Sequence, residues 1–252
     1  MKANEHSTSY PSESGCCTCE EDLTVVGKAV TRKDVLDKVT GSTQYIADFG
    51  ITGQLYGAVY RSPVAHGILK YVDCSKAKAY PGVRAVVTGE DAPYMFGRTL
   101  VDQHFFAVKK VRMEGEPIAA VAADTQEIAN EAVRLITAEI EPLPLVEDMM
   151  EALKPGSPLV HEKLEEYKNA GGWHPRNGTN IYDHFTLRKG DVEKGFAEAD
   201  VIIENEYNCA MLSHSPIETH GAVARVDSSG KVTVWSPAQS PFYIRTEIAN
   251  SL

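Results

Sequence analysis

The sequence predicts an α+β fold in two domains. Short β-type and helical runs alternate without an internal repeat, and residues 125–139 have clear helical periodicity. A stretch rich in Gly, Pro and Asn, residues 151–185, then separates this alternating region from a second set of elements. On this reading residues 1–22 are a disordered tail and residues 23–150 form the first domain. Residues 151–185 are an extended linker, and residues 186–252 are the incomplete start of a second α+β domain.

From Leu23 apolar and polar runs alternate. "VTGSTQYIADFG" places Gly41 and Gly50 as turn residues around a short polar-aromatic stretch. "QLYGAVYRSP" alternates over Leu55, Gly57 and Val59 as a strand does, and Pro63, without an N–H to offer a ladder, should end it. "ILKYVDC" predicts a strand, "SKAKAY" a short helix stopped before Pro81, and "VRAVVTGED" a strand with a β-branched core. A loop rich in Phe, Arg and Gln precedes "EPIAAVAAD", whose nearly continuous apolar character predicts a buried strand.

The helix expected over residues 125–139 places Ile128, Ala132, Leu135 and Ile136 on one face. Asp124 is its expected N-cap, with Glu127 completing a capping box, and Pro142 with Pro144 closes the unit. In the second domain Asp191 caps a short helix and "VIIENEYNC" alternates like a strand. "GAVARVDSSGKVTVWSP" predicts two strands around a turn, and Ser240 with Pro241 starts a helix running toward Leu252. A hairpin and one helix bury their own apolar faces poorly. The expectation is that the chain is a fragment of a longer polypeptide, or that another subunit completes this core.

With 43% hydrophobic residues the chain can build a sizeable core. Its net charge of -10, with Lys and Arg scattered, disfavours nucleic acid. No apolar run is long enough to span a bilayer, and the first 22 residues lack the apolar core of a secretory signal, so a cytoplasmic protein is expected. Cys74 and Cys209 stand alone in core-like segments, while Cys16, Cys17 and Cys19 cluster in the tail. That distribution is unlike a disulfide framework. The three clustered thiols are one short of the usual four ligands for zinc or an iron–sulfur cluster, so a tail without a specific metal is the preferred reading.

Dinucleotide fingerprints, phosphate-binding loops, nucleophile elbows and His-Glu-x-x-His pairs are absent from the sequence. His214, Glu218 and His220 would share one face of an unbroken strand, but Pro216 interrupts it, which favours a structural role over chemistry. His66 in "RSPVAHG" is expected to be a hydrogen-bonded packing residue. Gln239 in "WSPAQSP" stands at the mouth of the last helix, where its amide offers both a donor and an acceptor.

"TGSTQYIAD", "LYGAVYRSPVAHG", "PGVRAVVTGEDAP", "EGEPIAAVAADT", "GDVEKGFAEADVIIENEY", "SPIETHGAVA" and "VTVWSPAQSP" follow one another in a fixed order. Together, over residues 23–252, they resemble the molybdenum-binding large subunit of the xanthine dehydrogenase/aldehyde oxidase family. The resemblance implies that the first domain is that family's α/β hammerhead and the second the beginning of its molybdopterin-binding region. It implies oxidative hydroxylation of N-heterocycles such as purines or nicotinate, or of aldehydes, at a molybdenum–molybdopterin cofactor with water as oxygen source. Electrons would leave through iron–sulfur clusters, usually to FAD, on partner domains or subunits.

Within that resemblance Gln239 matches the Gln whose side-chain amide hydrogen-bonds an oxygen ligand of molybdenum. Glu218 matches a characteristic acidic position with no role assigned beyond structure or the substrate channel. The family's Gly-Gly-Phe-Gly segment, pterin-binding loops and base-supplying Glu have no match in residues 1–252, so no catalytic residue and no metal ligand is expected in this chain. The alternative expectation is a non-catalytic module that holds subunits of such a complex together.

Overall fold

The computed structural model describes residues 25–169 and 171–251. The expected tail of residues 1–22, with Cys16, Cys17 and Cys19, lies outside the described residues. The chain divides into two compact units, residues 1–45 and 46–252. In the first, helix α1 (Val35–Thr40) ends at Gly41, whose φ of 75° lets its N–H turn back to the carbonyls of Asp37 and Lys38.

The second unit is built on two antiparallel three-stranded sheets. In one, β7 (Pro117–Ala123) lies between β1 (Tyr56–Arg61) and β3 (Val83–Thr88). In the other, β2 (Gly67–Asp73) lies between β6 (Lys110–Val111) and β8 (Thr137–Pro142). Helix α2 (Ser75–Lys78) links β2 to β3, and helix α3 (Gln126–Val133) packs on β1 and β7. The loop expected between β3 and β7 also carries a small ladder, β4 (Met95–Phe96) with β5 (Gln103–His104).

Strand β7 explains the apolar run that marked it. Its period of two sends Ala119, Val121 and Ala123 into one core, with Ala129 and Ala132 of α3, and Ile118 into the other, with Leu69, Ala107 and Val111. Alanines on both sides of the α3 contact let the helix lie close on the sheet. Tyr60 and Val72 pack against both clusters and join the two sheets. Gly67 is where β2 meets β8 most tightly: a Cβ there would sit 2.6 Å from Ile140 Cγ2 and 2.8 Å from the Glu141 carbonyl.

Three sequence expectations need correction. Helix α3 ends at Val133 rather than continuing to Glu139, because residues 137–142 form β8 and pair with β2. "TAEIEP" alternates with a period of two, and an available strand edge outweighs the helical register of the preceding residues. The cap of α3 is Thr125, whose Oγ1 accepts the Ile128 N–H at 3.3 Å. Asp124 instead accepts two hydrogen bonds from the Arg84 guanidinium, at 2.6 and 2.7 Å. Finally, "VIIENEYNC" belongs to no ladder, since residues 201–220 carry no strand.

Beyond β8, Asp148 caps the short helix α4 (Met149–Ala152), and irregular chain follows. This segment is tied down through polar side chains. Asn180 accepts the Val160 N–H and donates to the carbonyls of Ala152 and Pro158. The buried Lys110 ammonium donates to the Leu159 and Val160 carbonyls and pairs with Glu162. Helix α5 (Val192–Glu198) is capped by Asp191, which accepts the Lys194 N–H at 3.0 Å. Strands β9 (Val223–Val226) and β10 (Val232–Trp235) form the expected hairpin, and helix α6 (Pro241–Ser251) starts at the expected proline.

Candidate functional site

The end of β10 and the start of α6 define the candidate site. Antiparallel pairing of Trp235 with Val223 fixes where the hairpin ends, and residues 236–240 then lead into α6 at Pro241. Proline suits a first helical position because the N–H it lacks would have no intrahelical partner. Residues 212–220 run alongside. Between these two segments lies a cavity of about 1020 Å³, lined among others by His214, Glu218, His220, Gln239 and Tyr243.

The loop therefore gathers His214, Glu218 and His220 at one cavity without a strand, in line with the interruption expected at Pro216. Gln239 lines the same cavity, and its side chain is exposed there. The hydroxyls of Ser213, Thr219 and Ser236 join these groups, so the lining is rich in neutral donors and acceptors. Glu218 is the exception to the exposure of its loop. It is half-buried, and its Oε1 accepts the Ile46 N–H at 3.1 Å.

Tyr243 was not singled out by sequence reasoning; its only signal was a position in the first turn of a helix whose entry was already of interest. The Arg98 guanidinium lies 5.6 Å from its ring centroid. Burial and the Glu247 carboxylate push the phenol up, against the opposing effect of Arg98.

The other candidates lie elsewhere. His66 is buried with Nδ1–H donating to the Pro144 carbonyl at 2.6 Å, as expected of a packing residue. Cys74 is buried, and burial raises its thiol pKa, which makes it a poor nucleophile. Cys209 is exposed and unpaired to any disulfide. Among the described residues no group of three His, Cys, Asp or Glu side chains is placed to hold a metal ion, and no helix is long and apolar enough to cross a membrane.

Residues 40–144 match the family model for the a/b hammerhead domain of aldehyde oxidase and xanthine dehydrogenase. Residues 173–252 match the model for the molybdopterin cofactor-binding domain. The chain is 35% identical over 234 residues to the nicotinate dehydrogenase large molybdopterin subunit of Eubacterium barkeri, covering 92% of this chain and 52% of that one. It is 32% identical over 263 residues to a probable hypoxanthine oxidase of Escherichia coli, covering 92% of this chain and 27% of the relative. Among solved structures, reconstituted CO dehydrogenase from Oligotropha carboxidovorans superposes with a TM-score of 0.76 at 31% identity, over 89% of this chain and 29% of that one. The chain thus spans between about a quarter and about half the length of these relatives.

Proposed function

Because the chain belongs to the molybdenum-binding subunits of the xanthine dehydrogenase and aldehyde oxidase family, we propose that it supplies the hammerhead and the first cofactor-facing wall of a molybdenum hydroxylase. The substrates would be N-heterocycles such as purines or nicotinate, or aldehydes. The observation that carries this reading is the cavity at the entry of α6, where Gln239 meets residues 212–220.

The donor set fits the family's cofactor. An exposed amide beside several hydroxyls and two imidazoles offers both donors and acceptors to oxygen atoms. Gln239 would hold an oxygen ligand of molybdenum through its side-chain amide. When bound, molybdenum–molybdopterin supplies two-electron oxidation with water as the oxygen source. The chain's own share is orientation: the short segment between β10 and α6 presents Gln239 to the cavity, and the hydroxyls of Ser213, Thr219 and Ser236 offer further hydrogen bonds along the walls. We assign no general base and no metal ligand to this chain.

In this reading the remainder of the molybdenum subunit covers the apolar residues left exposed between Val201 and Ile217. Iron–sulfur and FAD domains or subunits accept the electrons, the complex is cytoplasmic, and residues 1–252 alone are inactive. The same exposed residues favour a second reading, a non-catalytic module that holds such a complex together. Gln239→Ala in the complete complex separates the two. Loss of a hydrogen bond beside the reacting centre should lower kcat by roughly ten- to a hundred-fold, with molybdenum content and thermal stability unchanged. An unchanged kcat would remove Gln239 from the site and leave the structural module.

A further inference from the structure

We propose that Glu218 is a positioning residue, which by accepting the Ile46 N–H locks residues 46–49 as a brace across both walls of the Gln239 cavity. Its consequence for turnover rests on the function proposed above; the brace itself does not.

The wall formed by residues 212–220 has no ladder to hold it. Within it Ser215 has a φ of 43°, an uncommon left-handed conformation for a non-glycine residue. Glu218 is the one half-buried residue of positions 211–220, all others being exposed, so it is where this wall touches the body of the unit. The contact is the hydrogen bond to Ile46, 172 residues away in the chain, at the first residue of the 3-10 turn Ile46–Asp48. That N–H has no partner within its own turn, and a carboxylate oxygen satisfies it as a helix cap would.

The same short turn reaches the second wall. A Cβ at Gly221 would lie 3.0 Å from Ile46 Cγ2, so the chain leaving the first wall passes closely over Ile46. Phe49 packs on Trp235, with ring centroids 5.0 Å apart, and Trp235 immediately precedes the wall of residues 236–240 that carries Gln239. Just past the first wall, the Gly221 carbonyl accepts a hydrogen bond from Ser236 Oγ of the second at 3.4 Å. Glu218, Ile46 and Phe49 therefore set the spacing between Gln239 and the loop opposite it. The donor Glu218 meets is a neutral backbone N–H, so an amide oxygen can replace the carboxylate oxygen.

The test compares Glu218→Gln and Glu218→Ala in the complete complex by hydrogen–deuterium exchange, reading the peptide that contains Ile46, and by turnover per bound molybdenum. Glu218→Ala should raise exchange at the Ile46 amide about ten-fold, the signature of a lost local hydrogen bond. It should lower kcat per molybdenum roughly ten-fold at unchanged KM, since small misplacements are costly. Glu218→Gln should match the parent in both. Equal loss in both variants would mean that the charge itself is needed and would overturn the proposal. So would unchanged exchange in Glu218→Ala, or a variant that loses thermal stability and molybdenum while keeping kcat per molybdenum. A parent complex without molybdenum would refute the proposed function, and the exchange experiment would still decide the brace.

Discussion

Strand β7 and residues 201–212 are both rich in apolar side chains and have opposite fates. Ile118, Ala119, Val121 and Ala123 are at most 1% exposed, whereas Val201, Ile203, Tyr207, Met211 and Leu212 are at least 75% exposed. The difference is one of neighbours rather than composition. β7 has a strand on each side, α3 on one face and the second sheet's core on the other. Residues 201–212 pair with no strand. An apolar alternation states what a segment needs and not whether the partner lies in the same chain.

Stability measurements should expose this contrast first. In chemical denaturation, Ile118→Ala should cost about 3 to 4 kcal/mol by opening a cavity in a packed core. Ile203→Ala should change stability by less than about 0.5 kcal/mol. Comparable losses at the two sites would mean that residues 201–212 are already packed in this chain.

A smaller effect should follow from His161, which sits in the polar segment between these two regions. Its Nδ1 lies 2.9 Å from the Tyr167 hydroxyl. Burial first, then the Arg112 and Lys110 charges, hold its pKa down to about 4 from an ordinary 6.5, with Glu162 opposing them. The unfolded chain therefore binds the proton more readily between those two values, and stability falls as pH drops through that window. It levels off below about 4, where both states are protonated. After allowance for partial solvent screening the loss is roughly 1 to 2 kcal/mol. Denaturation midpoints at pH 7 and pH 4.5 should differ in the parent, and His161→Gln should reduce that difference.

The cap of α3 should give the smallest change. Thr125→Ala should cost about 1 kcal/mol, while Asp124→Ala should leave the cap intact and break only the exposed pair with Arg84. The reverse order would restore the cap that the sequence alone suggested.

That cap shows what local sequence could and could not specify. Asp124 and Thr125 are both good N-cap residues, and only the position of Arg84, forty residues away in the chain, decides which is free to cap. Likewise, Leu135 and Ile136 continue the helical register of Ile128 and Ala132, yet the edge of β2 draws residues 137–142 into a strand. Strands β1, β2, β3 and β7 were legible because Pro, Gly and β-branched residues mark their limits locally. In the candidate site Gln239 was singled out by its place at the mouth of the last helix and by its match to the family's Gln. Its companionship with His214, Glu218 and His220 was not, because that depends on a loop with no period to read. Ile46 carried no chemical signal at all, since its contribution is a backbone N–H.

The most direct test of the proposed role is metal analysis by mass spectrometry on the complex that co-purifies with this chain from its native source, alongside residues 1–252 alone. Stoichiometric molybdenum together with iron in the complex, and none in the isolated chain, is the predicted result. Absence of molybdenum from the native complex would contradict it, whatever the likeness of the fold.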